Sequence, residues 1–153
     1  MSRRAEIVMS DAEFVAFITE QHTVTVASNG RDGWAHLMPL WYVVRDGELW
    51  VWTYASSQKV RNLERDPRAT LSIEAGEEYA DLRGVMLRTE AVIERDSALV
   101  TALGIELYER HAGSDGLPVD QLESIAKQAP KRVAIRFAER ARVSWDHRKL
   151  ARS

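Results

Sequence analysis

The chain reads as mainly β, of the α+β class, with six or seven strands in an antiparallel barrel or sandwich and short helices at its flanks. Three observations lead there. Alternating apolar and polar runs recur at even spacing along the chain. Tight turn pairs (Asn29-Gly30, Asp32-Gly33, Asp46-Gly47) join consecutive runs. Few helical segments come between them, so neighbouring strands are expected to pair antiparallel.

Taken in order, Ser10 is a good N-cap and Asp11 and Glu13 suit a first helical turn. Phe14, Val15, Phe17 and Ile18 then follow at helical spacing, which predicts a helix from Ser10 to Gln21. His22 to Ser28 alternates and is β-branched, the pattern of a strand. Trp34 to Arg45 is a second strand; Pro39 inside it cannot donate to a ladder and marks an edge, a bulge or a bend. Glu48 to Tyr54 is the third strand. A short basic helix runs from Ser56/Ser57 to Arg65 and stops at Asp66-Pro67, because proline disfavours helix in the residue before it. Ala69 to Glu74 and Leu82 to Glu94 are strands four and five. Ser97 is the expected cap of a helix carrying Leu99, Val100, Leu103 and Leu107. Gln121 to Gln128 forms a further helix ended by Pro130, and Arg132 to Phe137 and Arg142 to Trp145 are two closing strands.

Residues 1–153 are expected to form one domain, a length that suffices for a single core. Hydrophobic residues make up 45% and charged residues 29%, with a net charge of −2 and a pI near 6.1. That balance argues against a general nucleic-acid binder, which would be basic. Positive charge is nevertheless concentrated locally, at Lys59, Arg61, Arg65 and Arg68 and again from Lys131 to Arg152, which suits a small anionic ligand. The absence of cysteine excludes disulfides, thiolate metal sites and cysteine nucleophiles. The longest apolar runs are strand-sized, so no leader, no membrane span and a cytoplasmic location are expected.

The stretch from Gly47 to Pro67 carries the best functional lead. A strand ends at Ala55-Ser56-Ser57 where a helix begins, and the free N–H groups and positive dipole end of a helix favour a phosphate there. Ser57, the Lys59 ammonium and Asn62 are the side chains within reach. Spacing alone favours an ordinary capped helix with a solvated basic face, since nothing here matches a Walker loop. Trp41, Trp50 and Trp52 lie on adjacent strands, with Trp50 and Trp52 on one face and Leu49, Val51 and Thr53 on the other. The tryptophan face suits a homodimer interface, a wall for a planar ring ligand, or both. The four histidines show no metal-ligand spacing, and there is no nucleophile elbow or marked carboxylate pair, so neither a metal nor a protein catalytic residue is expected.

Several runs carry a family resemblance: P-L-W-Y-V-V-R-D-G-E-L-W-V (39–51), S-Q-K-V-R-N-L-E-R-D-P-R-A-T-L (57–71), R-G-V-M-L-R (83–88) and S-W-D-H-R-K-L (144–150). In them the chain resembles the flavin/deazaflavin oxidoreductases of the pyridoxamine 5′-phosphate oxidase-like family, and among these the F420-dependent branch. The resemblance implies a six- to seven-stranded antiparallel split β-barrel of the FMN-binding type, holding F420, or alternatively FMN. It implies that Lys59 binds the cofactor phosphate with Ser57 and Val60 beside it. Trp52, Thr53 and Tyr54 would contact the ribityl-phosphate side, and Met38, Pro39, Leu40 and Trp41 would lay backbone against the ring. Arg61 suits the anionic tail, and Asn62 matches a family position. The resemblance further implies a homodimer with the site at the subunit interface, Tyr79 and Arg83 coming from the partner. The implied activity is hydride transfer from reduced deazaflavin to an unsaturated small molecule such as an enone, quinone or tetrapyrrole-like compound. An FMN-dependent oxidase or reductase and a non-catalytic cofactor carrier are the alternatives. Some F420-binding relatives carry a second basic residue two positions before the lysine, where this chain has Ser57.

Overall fold

The computed structural model describes residues 2–152. Six strands close into an antiparallel barrel in the order β1-β2-β3-β6-β5-β4. These are β1 (Thr23–Asn29), β2 (Ala35–Arg45), β3 (Glu48–Tyr54), β4 (Arg68–Ala75), β5 (Arg83–Glu94) and β6 (Arg132–Asp146). The helices are α1 (Arg3–Glu6), α2 (Asp11–Glu20), α3 (Gln58–Arg65), α4 (Ser97–Ala112) and α5 (Val119–Gln128). The expected antiparallel barrel with short helices is therefore the architecture found.

Local chemistry accounts for the boundaries. At α2 a capping box forms: Glu13 N–H donates to Ser10 Oγ (3.1 Å) and Ser10 N–H donates to Glu13 Oε1 (3.0 Å). Asp46 (φ 52°) and Gly47 (φ 76°) both take the left-handed region that a tight hairpin demands. The cap of α4 is Asp96, one residue before the expected Ser97, because its carboxylate accepts from Leu99 N–H at 3.0 Å. A short α1 capped by Ser2 was not expected from the pattern.

Two expectations are corrected. The two closing strands are one, β6, running from Arg132 to Asp146. Its register to β5 jumps from Thr89–Glu139 to Arg88–Ala141, so Arg140 is a bulge residue, and the exposed polar stretch around it interrupts the alternation. The outer face of β3 is also not left for a partner or ring. Leu49 and Val51 point into the barrel with Val24, Leu71 and Ile135, while Trp50 and Trp52 are roofed by α4 and α5 through Val100, Leu103, Leu107 and Ile125. This second core explains Gly104 on α4: a Cβ there would stand 2.7 Å from Trp52 Cζ2.

The barrel has a split. The β2–β3 ladder covers only Tyr42–Arg45 against Glu48–Val51, whereas β2 runs back to Ala35 and β3 on to Tyr54. Tyr42 N–H donates to His22 O on the β1 side. By strand alternation, Leu37, Pro39 and Trp41 then turn their backbone polar groups to the unladdered side, where a proline lacking N–H costs nothing.

Candidate anion and cofactor site

Thr53, Ser57 and Lys59 come together at the barrel end where β3 passes into α3. Thr53 is the last inward residue of β3, and its Oγ1 accepts from Lys59 Nζ at 2.7 Å. Lys59 is 7% exposed. It has no carboxylate partner among the described residues, and its pKa is pushed below the ordinary lysine value, chiefly by burial and next by the charge of Arg132. Ser57 is the N-cap of α3, yet its side chain makes no capping bond, and its Oγ is buried without a partner. A buried ammonium without a counter-ion, an orphaned hydroxyl and a helix N-terminus form an incomplete set, one of a chemistry suited to an anionic oxygen group.

The other predicted residues divide. Val60 is fully buried in the barrel core and offers only its backbone. Asn62 is also fully buried and donates to Ser28 Oγ (3.1 Å), while its Oδ1 accepts from Gln58 Nε2 (2.9 Å); it ties α3 to β1. Arg61 is exposed. Trp52 keeps its ring under α4, and Tyr54 lies exposed with the Arg132 guanidinium 3.7 Å from its ring centre. Leu40 is half-buried against the core, whereas Met38 and Trp41 are exposed, Trp41 stacking on His111 at 3.9 Å. Pro39 is exposed between them. Tyr79 and Arg83 lie at the opposite end of the barrel: Tyr79 packs edge-on to His147 and Arg83 pairs with Glu20 at 2.9 Å.

A cleft of about 480 Å³ lies between the β1–β2 turn and α3, lined among others by Trp34, His36, Gln58 and Asn62. It adjoins the Ser57–Lys59 cradle rather than containing it, and the buried Nδ1 of His36 has no partner there. No cluster of three or more histidine, aspartate or glutamate side chains suited to a metal occurs among the described residues. Among the same residues no helix is long and apolar enough to cross a membrane.

Sequence reasoning placed Arg132 only within a general basic bias. In the fold it opens β6 directly opposite Tyr54 and its charge reaches Lys59. No local pattern marks it, because the β3–β6 ladder alone brings it there.

Residues 10–143 match the pyridoxamine 5′-phosphate oxidase family, and the chain belongs to that family. Among solved structures it is similar to the conserved hypothetical protein Rv2991 of Mycobacterium tuberculosis, with 40% identity and a TM-score of 0.89, covering 99% of this chain and 93% of that one. More distant likenesses share the fold. One is HutZ, the heme storage protein of Vibrio cholerae (17% identity, TM-score 0.69, 90% of this chain and 97% of that one). Another is an F420 reductase (19% identity, TM-score 0.64, 83% and 93%). No curated protein matches the sequence.

Proposed function

We propose that this chain is an F420-dependent oxidoreductase that passes a hydride from the reduced deazaflavin to an unsaturated small molecule, an enone, quinone or tetrapyrrole-like compound. The observation that carries the reading is the buried Lys59 ammonium, bonded only to Thr53 beside the unpartnered Ser57 hydroxyl. That set suits the phosphate of a flavin-like cofactor. The open backbone edge at Leu37–Trp41 suits hydrogen bonds to the polar rim of its ring. A bound deazaflavin or flavin supplies the hydride chemistry; the protein's part is to bind, orient and exclude water. This agrees with the absence of any marked acid–base pair in the sequence. The likeness to an F420 reductase supports the choice of deazaflavin at the level of the fold.

The working unit in this reading is a cytoplasmic homodimer. Leu37 (58%), Trp41 (45%) and Tyr54 (47%) expose a band of apolar surface along the split, which a second copy would cover. Tyr79 and Arg83, remote from Lys59 within one chain, would then complete the site from the partner.

Fluorescence titration with F420 and FMN separately tests the proposal. Binding of F420 with oxidation of F420H₂ by members of an enone and quinone panel is the expected result. Tight FMN binding with none of F420 would give the FMN-dependent alternative, which uses the same phosphate cradle. F420 binding without turnover across the panel would make the protein a cofactor carrier.

A further inference from the structure

We propose that the cleft between the β1–β2 turn and α3 is the seat of the hydride acceptor, an uncharged, planar, conjugated carbonyl compound, with Trp34 as its stacking platform and His36 as its hydrogen-bond donor. The inference deepens the reading of the chain as an oxidoreductase and rests on it for the ligand's role. The turn fixes Trp34. Gly30 N–H donates to Trp34 O (2.9 Å), Gly33 N–H to Gly30 O (3.1 Å) and Trp34 N–H to Asp32 Oδ1 (3.0 Å). It is closed so tightly that a Cβ on Gly30 would stand 2.6 Å from Trp34 O, and Gly33 takes a φ of 86°. On this fixed backbone the indole is 79% exposed and belongs to neither hydrophobic core. Its flat apolar face is therefore free for a planar ligand, and little order is lost when one stacks on it.

His36 is turned towards α3. It lies opposite Ser28 in the β1–β2 ladder, and directly opposed residues of an antiparallel pair share a face. Ser28 is buried and accepts from Asn62 Nδ2 at 3.1 Å, so that face is the one under α3. The His36 Nδ1 is buried without a partner, which leaves Nε2 as the ring atom open to the cleft. A ring with a single N–H keeps it best on Nε2, since a buried N–H without an acceptor is costly. The α3 wall is fixed as well, because Gln58 Nε2 donates to Asn62 Oδ1 at 2.9 Å. Arg31 and Asp32 balance each other in the lining, in contrast to the Lys59 cradle next door. A space of about 480 Å³ is of small-molecule size. One flat face, one donor and no net charge select a planar conjugated carbonyl compound. The seats adjoin, because Gln58 lines the cleft while its neighbours Ser57 and Lys59 form the cradle.

Equilibrium dialysis with 1,4-naphthoquinone and with naphthalene, which has the rings without the carbonyls, tests the assignment. The chain has no cysteine to add to the quinone. Wild type should bind the quinone more tightly than the hydrocarbon. Trp34→Ser should weaken both roughly three- to tenfold, the scale of an aromatic stacking contact, with Trp34→Phe keeping part of the affinity. His36→Phe should weaken the quinone by a similar factor and leave naphthalene unchanged, and His36→Gln, which retains a donor, should restore part of the preference. Quinone affinity that is unchanged in Trp34→Ser or in His36→Phe would overturn the proposal. So would the absence of quinone binding to wild type with and without F420. Titration of the same proteins with F420 separates the two readings. If F420 competes with the quinone and binds more weakly to both variants, the cleft belongs to the cofactor and the proposal falls. F420 bound equally by all of them, with no quinone response, would defeat the acceptor seat alone. The expected quinone pattern in a protein that binds no F420 would defeat the cofactor reading and leave the cleft as a ligand site.

Discussion

The Lys59 ammonium spends its one visible hydrogen bond on the Thr53 hydroxyl, 2.7 Å away, in a place that is 7% exposed. Burying an ammonium against a neutral oxygen is costly, so in the ligand-free protein Lys59 is a burden on stability. Lys59→Met should therefore leave the ligand-free protein at least as stable as wild type in urea unfolding. The same change should weaken cofactor binding by about 1.5–3 kcal/mol. The pH dependence follows from the lowered pKa. Between the folded value and the ordinary value of 10.5, the unfolded chain holds the proton that the folded one has lost, so stability rises with pH in that window. The wild-type and Lys59→Met curves should converge there.

Tyr42 behaves in the opposite sense. Its hydroxyl donates to Ile18 O at 2.6 Å inside the barrel, and burial raises its pKa to about 12 from 10.0. The folded state keeps a proton that the unfolded state releases first. Its contribution is complete below pH 10 and is lost as pH rises towards 12, on the order of 2–3 kcal/mol. Tyr42→Phe should cost about 1 kcal/mol at neutral pH for the lost hydrogen bond. It should also flatten the alkaline limb of the stability curve, which chemical denaturation at several pH values will show.

Which parts of this architecture were readable in one dimension depends on the range of the interaction. The strand Glu48–Tyr54 was legible to the residue, since alternation and the Asp46-Gly47 turn are both local. The capping box at Ser10 is local too. Strand period also tells that Trp50 and Trp52 share a face, but not what covers it; the cover is α4, which the chain reaches only after two more strands. Arg140 misled the reading of β6 because a bulge breaks the period without breaking the strand. At the site, Ser57 and Lys59 are legible because one helical turn holds them. The place of Arg132 opposite Tyr54 is not, because a ladder between distant strands sets it. Asn62 was readable as a polar residue near the cradle, yet its bonds run to Ser28 and Gln58. Asn62→Ala should accordingly destabilise the fold by about 1–3 kcal/mol. The ratio of affinities for phosphorylated and phosphate-free ligand should not move.

Gly104 sets the distance between α4 and the outer tryptophans. Alanine is the better helix former by about 1 kcal/mol, so on propensity alone Gly104→Ala would stabilise. The added methyl, however, would sit 2.7 and 2.8 Å from two atoms of the Trp52 ring, which is 4% exposed and cannot swing away. Overpacking of this kind costs about 1–3 kcal/mol and should outweigh the propensity gain. The expected outcome is a lower Tm together with an altered near-ultraviolet circular dichroism band from the displaced indole.

Arg110 joins three elements through one side chain. From the end of α4 its Nη2 donates to the carbonyls of Ile18, Thr19 and Gln21 at the C-terminal end of α2, and its Nη1 donates to Tyr42 O on β2. The last carbonyls of a helix lack intrahelical donors, and a cation is favoured at that end by the dipole as well. A planar fork can serve several carbonyls at once, whereas an ammonium presents a single point charge. Arg110→Ala should therefore cost about 2–4 kcal/mol, the scale of losing charged hydrogen bonds at partly buried acceptors. Arg110→Lys should recover less than half of it. Amide exchange locates the damage: protection should fall first in the last turn of α2 and at Tyr42, with β4 and β5 retaining theirs. Uniform loss of protection across the barrel would instead make Arg110 one packing residue among many.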